Sequence, residues 1–526
     1  MKKNLASLET NVKFSQSILW QLQREYFSNF GIKAWVRGVP FFVTSNTYIA
    51  NAYAQFIINF IQDYLAKNAD AKEFYILELG AGSGQLSFYC LKKILELKEI
   101  LKLSVKIKYI ISDFAEKNVN FWQKQEVFQQ FIADDILDFA LYDIEEDKTV
   151  KLIRANKELH TDTPLIVIAN YVIDSVKNDA FATKNSKLCE SLLTCKSPYF
   201  NIVDSKVKDL NKVTTYFNDK EITDLKNYYS CDIYNKILQE YQGLANGNFL
   251  FPVGIFYCLE TLKKISNNKL VLLTTDKGYK NKEDIIDRAK TNLIFHGSFS
   301  LTVNFHAVAS YFKQHEKSIT LCQDTTPEIS SNVFMMGVDA DILKNSKIAF
   351  QNFFNTIGPG DYFRLHRFLR EQKQQIDSSR LITQLRLNDF DPYVISIHLK
   401  TLLAYIQQNK KQTYLKKSLQ IGLKKAAKNI YSLPSMTNHY YSIAILYYAM
   451  ENYESAINML KKAVAWQTQD DKYSDTIYDC YYTLGLCHKY LKELDKAKNY
   501  LQLATQMPQD LIHQDRAGKQ LKLLND

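Results

Sequence analysis

A short apolar run, Phe74–Leu79, breaks into Gly80-Ala81-Gly82-Ser83-Gly84, and an amphipathic stretch from Leu86 to Leu103 follows at once. Three glycines in five residues at a strand-to-helix junction let backbone come close to a bound molecule, because no Cβ stands in the way. Such an element needs a strand before it and a helix after it, which commits the surrounding chain to an α/β layout. Other segments agree. Val105–Ser112 is a β-branched run ending at Asp113, Leu165–Ala169 is a buried-strand pattern, and Val271–Leu273 supplies a fourth. Continuous apolar strands spaced by helices predict a mostly parallel sheet covered on both faces. Just upstream, Tyr48–Leu65 carries apolar residues at helical spacing.

With 526 residues the chain exceeds what one core can organise. The expected division is an N-terminal helical entry segment over 1–47, an α/β domain over 48–340, a helical connector over 341–430 and helical repeats over 431–526. Within the α/β domain the strand-helix alternation stops at 181–270, where the sequence turns polar and Tyr-rich. That insertion is expected to be helical, as a cap over a pocket or as a surface subdomain.

The repeats rest on self-similarity. Tyr440, Ile443, Ala444, Tyr447, Ala456, Leu460 and Ala463 recur as Tyr481, Leu484, Gly485, His488, Ala497, Leu501 and Ala504. This is the tetratricopeptide pattern, in which small residues let antiparallel helices approach closely. The spacing is longer than usual, so the link around Thr468–Asp475 is expected to be extended. Asp391–Ile430 reads as helical, and two repeats alone are too few for a free solenoid, so they are expected to dock on the helices before them.

Composition removes several classes. Hydrophobic residues make up 46% and charged residues 23%, with only 16 Gly and 9 Pro, which excludes wholesale disorder and collagen-like chains. The net charge of +10 permits an anionic partner without requiring one. Lys410, Lys411, Lys416, Lys417, Lys424 and Lys425 recur along one helical stretch, whose default reading is a solvated face rather than a nucleic-acid surface. The eight cysteines form no C-x-x-C pair, and His160, His296 and His306 are scattered, so no metal site is expected. Neither a signal-like start nor an 18-residue apolar run occurs, which leads to the expectation of a cytoplasmic protein without a membrane span.

The glycine loop lacks the spacing of the dinucleotide fingerprint, and no Walker lysine follows it. Glu78 stands on the strand just before the first glycine, where an acid can meet the ammonium of S-adenosylmethionine. Asp113 ends the next strand, where a carboxylate can accept from both ribose hydroxyls. Asp134 and Asp135 follow Phe131-Ile132-Ala133 and either take the adenine amino group or cap a helix. With Gly80, Ala81, Gly82 and Gly84, these residues resemble a class I S-adenosylmethionine-dependent methyltransferase, which implies a Rossmann-like fold.

Phe41-Phe42-Val43-Thr44-Ser45-Asn46, then ELGAGSGQL, then Ala169-Asn170-Tyr171-Val172-Ile173-Asp174 resemble the MidA-like family. That family includes a mitochondrial protein-arginine methyltransferase that assists respiratory complex I assembly. Asp276-Lys277-Gly278 and Ser300–Phe305 resemble its late motifs, so the likeness spans about 20–315. The resemblance implies that Thr44, Ser45 and Asn46 line the cofactor or acceptor entry; the alternative is a helix cap before Tyr48. The chain departs from the pattern at Asn46, Tyr171, Thr302 and Asn304, so arginine specificity does not carry over.

Methyl transfer from a sulfonium needs alignment and water exclusion more than any fixed residue set. The expected acceptor-side residues are Asn170, to orient an N–H, Tyr171 beside it, and Asp174, to pair with a cationic acceptor; Asn170 and Asp174 alternatively cap a following helix. The expected function is methylation of a nitrogen on a protein substrate recruited by the repeats. A small-molecule methyltransferase and a non-catalytic cofactor-binding scaffold are the alternatives.

Overall fold

Two sheets organise the first of two units, Met1–Phe363 and Arg364–Asp526, into which the contacts of the computed structural model divide the chain. The structure describes residues 6–37, 42–43, 45–197, 210–291, 293–295, 298–323, 329–371, 378–409, 413–434, 436–466, 475–507 and 511–525. In chain order the strands are β1 (Ala6–Val12), β2 (Glu73–Glu78), β3 (Lys106–Asp113), β4 (Leu137–Leu141), β5 (Leu165–Asn170), β6 (Asp179–Lys184), β7 (Lys187–Ser197), β8 (Thr214–Glu221), β9 (Gly247–Phe251), β10 (Leu270–Asp276), β11 (Ile319–Cys322) and β12 (Ser330–Met336). The helices that matter to the site are α1 (Ile18–Phe30), α2 (Lys33–Arg37), α3 (Thr47–Lys67), α4 (Gln85–Ile100), α5 (Glu116–Lys124) and α6 (Glu126–Ala133).

The central sheet has seven strands in the order β11-β12-β10-β5-β2-β3-β4. The five from β10 to β4 pair in parallel, while β12 and β11 run antiparallel at one edge. The sheet is therefore mixed, with its antiparallel strands confined to one edge. Every position of β12 is buried, the polar Ser330, Ser331 and Asn332 as well as Val333–Met336. One face of the sheet, with Leu77, Val167 and Leu272, packs against Phe256, Leu259, Phe305 and Phe312 of the helices 253–265 and 305–313. Full burial of each such side chain contributes about 1.5–3 kcal/mol.

Helix α3 packs against α4. It begins where Asn46 Oδ1 accepts from the N–H groups of Tyr48 and Ile49, both at 3.0 Å, and the Asn46 amide donates to the Phe42 carbonyl. Asn46 is thus a helix cap. Asn304 has the same job, accepting from Ala307 N–H while its amide donates to the Leu250 carbonyl. Two of the departures from the family pattern are structural residues turned away from any acceptor.

The second sheet corrects the reading of 181–270. That segment is built mainly of strands: β6, β7, β8 and β9 form an antiparallel sheet with β1, which pairs with β7. Alternating burial along β7, from Leu188 to Ser197, is the signature of strands packed on one side. Its Tyr content misled because the tyrosines of 228–241 lie around a single short helix, 232–239, in an aromatic cluster with Phe181, Phe249 and Phe251. The N-terminal segment, expected to be helical, opens with strand β1 before α1.

The second unit is helical throughout its described residues. Helices span 392–397, 399–408, 413–428, 439–449, 453–466, 475–490, 494–505 and 511–525. Ala444, Ala456, Ala463, Ala497 and Ala504 are fully buried, and a Cβ on Gly485 would sit 2.6 Å from Leu501 Cγ. Helix 439–449 packs on helices 392–397 and 399–408, as the shortage of repeats requires. The extended link of 467–474 and Lys410 and Lys411 lie outside the described residues. No described helix is long and apolar enough to cross a membrane.

Candidate functional site

In the central sheet β3 and β4 follow β2 outward on one side, while β5 and β10 lie on the other, so the strand order reverses between β2 and β5. Loops leaving the carboxyl ends of β2 and β5 diverge there, and open α/β sheets bind ligands in the crevice this leaves. A cavity of about 440 Å³ occupies this position. It falls within the range of roughly 300–1,000 Å³ typical of small-molecule sites.

The glycine loop forms its floor. Gly80, Gly82 and Gly84 take φ values of +56°, +54° and +76°, a region that residues with a Cβ enter only with strain. The loop is stitched to both neighbouring strands: Leu79 N–H donates to the Ile168 carbonyl and Ala81 N–H to the Ser112 carbonyl, each at 2.9 Å. A Cβ on Gly82 would lie 2.3 Å from the Trp35 ring, and Trp122 Nε1 donates to the Gly82 carbonyl at 3.1 Å. Gly80 and Ala81 line the cavity, while Gly82 and Gly84 shape the turn beneath it.

Glu78 lines the cavity and is buried. Tyr109 donates to its Oε2 at 2.6 Å. Burial outweighs that hydrogen bond and pushes its carboxyl up to about 7. A carboxylate held at such a cost suits a cationic ligand group. Asp113 also lines the cavity and accepts from Ala115 N–H at 2.8 Å, and from Gly82 N–H and the Asn118 amide at 3.1 Å. Burial raises its pKa against these three hydrogen bonds. Asp113 therefore braces the loop, and a carboxylate with about four lone-pair sites keeps room for a further donor.

Asp134 and Asp135 are placed elsewhere. They end α6 before β4 begins, at the amino edge of the sheet, and both are exposed. Asp135 pairs with Lys108, which lowers its pKa. The misreading has a simple origin: Phe131-Ile132-Ala133 is the end of a helix, and the strand is the next run, Leu137–Leu141. Past that strand Tyr142, Asp143, Ile144 and Glu145 line the cavity. The clue was present, since β4 followed by an acid repeats the pattern of β3 followed by Asp113. The other residues missed come from the N-terminal segment. Gln23, Arg24 and Phe27 of α1 and Trp35 of α2 form a wall, with Arg24 bridging Asp143 and Glu145 and lying over the Phe114 ring.

The far side is built from β5 and β10. Asn170, Tyr171 and Asp174 all line the cavity, as does Ser45; Thr44 lies outside the described residues. Asn170 Oδ1 lies 3.0 Å from the Tyr53 hydroxyl, which also sits 2.8 Å from Thr275 Oγ1. Its carbonyl is thus already engaged by α3, and neither Asn170 nor Asp174 caps a helix. Tyr171 takes φ +53°, and its buried hydroxyl has no hydrogen-bond partner among the described residues. Asp174 is pushed up to about 6 by burial, against the Ser175 hydroxyl that donates to it at 2.7 Å. Lys277 lines the mouth. His160 and His306 do not reach the cavity, and His296 lies outside the described residues. His306 Nδ1 lies 2.9 Å from the Tyr241 hydroxyl instead. No group of metal-ligating side chains occurs among the described residues.

Comparison with known proteins fits this geometry. Residues 54–295 match the family described as "putative S-adenosyl-L-methionine-dependent methyltransferase", and residues 435–510 match a tetratricopeptide-repeat family. No curated protein matches the chain. Among solved structures, an uncharacterised protein from Burkholderia thailandensis is 11% identical, covering 61% of this chain and 94% of its own at a TM-score of 0.35. A member of the same superfamily from that bacterium, bound to S-adenosylhomocysteine, is 12% identical over 62% of this chain and 96% of its own, with a TM-score of 0.37. The CurJ carbon methyltransferase is 10% identical over 54% of each chain, at 0.25. Residues 54–295 are thus similar to a family of putative S-adenosyl-L-methionine-dependent methyltransferases, whose cofactor is S-adenosylmethionine, and residues 435–510 to a tetratricopeptide-repeat family.

Proposed function

We propose that the cavity of the first unit serves methyl transfer from S-adenosylmethionine to a nitrogen on a protein, and that the tetratricopeptide repeats hold this substrate or an assembly partner. One observation carries the donor half: Glu78 and Asp113 end adjacent parallel strands on either side of a loop whose glycines leave no Cβ above it. In this reading Glu78 receives the methionine ammonium, Asp113 the ribose hydroxyls, and Phe114 and Tyr142 pack against adenine. Asp143 and Glu145 take the place first assigned to Asp134 and Asp135. The parallel strands β10 to β4, with their reversal at β2 and β5, form a Rossmann-like half of the mixed sheet.

When bound, the cofactor supplies a methyl group on a positively charged sulfur. The chain supplies alignment and dryness. Arg24, Phe27 and Trp35 close one side against water, which strengthens every charge interaction inside. Asp174 offers a carboxylate to an N–H that must lose its proton. A small-molecule acceptor is the second reading, favoured by Val176, Leu301 and Ile329, which line the cavity beside Tyr171.

Incubating the full chain with methyl-tritiated S-adenosylmethionine and cell-lysate proteins tests the assignment. Label should enter protein, resist alkali as N-methyl groups do, and appear in methylated amino acids after acid hydrolysis. Label confined to low-molecular-mass material would move the acceptor to the second reading.

A further inference from the structure

Strands β5 and β10 run parallel with Asn170 opposite Thr275, so the residues just past that register, Tyr171 and Asp276, meet at the carboxyl edge. Tyr171 N–H donates to the Thr275 carbonyl at 3.0 Å, and its left-handed backbone turns the chain back on itself. A bulky residue holds that conformation at a cost of roughly 1–2 kcal/mol, so the surroundings must enforce it. The turn delivers Asp174 onto Asp276: the Asp174 N–H donates to Asp276 Oδ2 at 3.1 Å, and Lys277 N–H donates to Oδ1 at 2.8 Å. Asp276 is fully buried and does not line the cavity, whereas Asp174 does.

Neither carboxyl group is paired with a cationic side chain among the described residues; the charge that acts most on Asp276 is Asp174 itself. The other titratable groups facing them are Tyr171 and Tyr53, with Glu78 and Cys90 beyond Tyr53. Two buried carboxyls with no cation between them do not both ionise near neutral pH, because desolvation and mutual repulsion act together. Burial and Asp174 raise Asp276 well above the carboxylate range, so the shared proton resides there, and Asp174 ionises first.

We infer that Asp276 is a positioning residue that shares one proton with Asp174, leaving Asp174 as the carboxylate that takes the proton from an amine acceptor, while the unpartnered Tyr171 hydroxyl hydrogen-bonds the same nitrogen. This rests on the methyl-transfer reading above. An ammonium entering beside Tyr171 gives its N–H proton to Asp174 and becomes a neutral amine. Its lone pair forms the N–CH3 bond as the S–CH3 bond breaks, with that electron pair staying on sulfur. Asp174 returns the proton to solvent as products leave. A guanidinium does not suit this site, since its proton is too tightly held for a carboxylate to remove.

Infrared spectroscopy of the full chain labelled with carboxyl-13C aspartate tests the pair without needing the substrate. In the wild type one carboxyl should stay protonated at neutral pH, and a second should become protonated as pH falls through about 6. Asp276→Asn should remove the neutral-pH band and leave the titration of Asp174 within about half a pH unit, because a neutral amide replaces a neutral acid. Asp174→Asn should abolish the band near 6. A neutral-pH spectrum unchanged by Asp276→Asn would overturn the shared proton. Calorimetry with S-adenosylhomocysteine separates the two readings: both variants should bind within about twofold of wild type, or about 0.4 kcal/mol. If the wild type fails to bind, the donor-site reading fails, and the infrared result alone decides the pair. The acid limb of methyl incorporation into lysate proteins should coincide with the infrared titration of Asp174 in the wild type and in Asp276→Asn, and a limb that departs from it in both would overturn the role of Asp174 as base.

Discussion

The two walls of the cavity acquire their chemistry in different ways. On the β2–β3 side Glu78, Gly80, Gly82 and Asp113 are each fixed by a local demand: a strand end, a left-handed turn, or a carboxylate that braces the turn it adjoins. On the β5–β10 side the decisive contact joins Asp174 to Asp276, 102 residues away. The first wall is written in short motifs because backbone geometry restricts which residues fit. The second depends on which strands become neighbours, and any pair of suitable acids brought together there would serve. The wall around the glycine loop is thus specified by conformation, the opposite wall by topology.

The largest expected effect lies where the walls meet. Gly80→Val places a Cβ 3.1 Å from Val172 Cγ2 and demands a φ of +56° from a β-branched residue. Affinity for S-adenosylhomocysteine, measured by calorimetry on protein shown to be folded by circular dichroism, should fall by at least about 100-fold, or close to 3 kcal/mol. Unchanged affinity would detach the cofactor from the glycine loop.

An intermediate effect follows from Glu78. Burial raises its pKa in the folded chain from 4.5 to about 7, so the folded state holds the proton more tightly than the unfolded state. The contribution of Glu78 to the stability of the ligand-free protein should be greatest below the unfolded value and be lost as pH rises towards 7, levelling off above it. The total is on the order of 3 kcal/mol. Binding of S-adenosylhomocysteine, whose ammonium needs the ionised form, should strengthen as pH rises through about 7. Both dependences should flatten in Glu78→Gln, and calorimetry and thermal melts across that range read them directly.

The smallest effect separates the edges of the sheet. Asp134→Ala and Asp135→Ala should leave the same affinity within about twofold, or about 0.4 kcal/mol. Asp135→Ala should cost on the order of 1 kcal/mol of stability, since Asp135 is exposed but the Lys108 ammonium it pairs with is buried and would keep only the Asp135 carbonyl. A tenfold loss in either variant would return the adenine contact to the amino edge.

What the sequence made legible follows the same division. Glu78, Gly80, Ala81, Asp113, Asn170, Tyr171 and Asp174 could be picked out because each stands at the end of a strongly apolar strand, and all seven line one cavity. Strand β4 was missed since LDFAL carries an acid at its second position. In the fold that Asp138 is buried, its carboxylate accepting from Arg154 and Ala155 N–H, a contact with no local signature. The antiparallel strands β11 and β12 and the β-rich insertion were hidden for a related reason. β6 and β7 form a hairpin and β11 pairs with the next strand, but β1 reaches β7, β9 reaches β6 and β10 reaches β12 only across fifty residues or more, and those contacts outweigh the local propensities that sequence patterns report. The alanines of the repeats were legible because helix-to-helix contact there is made with the next helices along the chain.

Strand β1 has a further consequence. It pairs with β7 from Ala6 opposite Ser197 to Val12 opposite Leu193, and α1 is anchored on the same sheet through Leu19, Trp20 and Leu22 beside Leu193 and Phe217. A chain synthesised from its N-terminus exposes β2, the glycine loop and β3 well before β7 exists. The floor of the cavity can therefore form early during translation, while Arg24, Phe27 and Trp35 stay unmoored until roughly two hundred residues have emerged. Closing so long a loop is the slow kind of folding step. The insertion thus delays the N-terminal wall of the cavity in the life of a nascent chain, and Lys277, Leu301 and Ile329 on the far side follow later still.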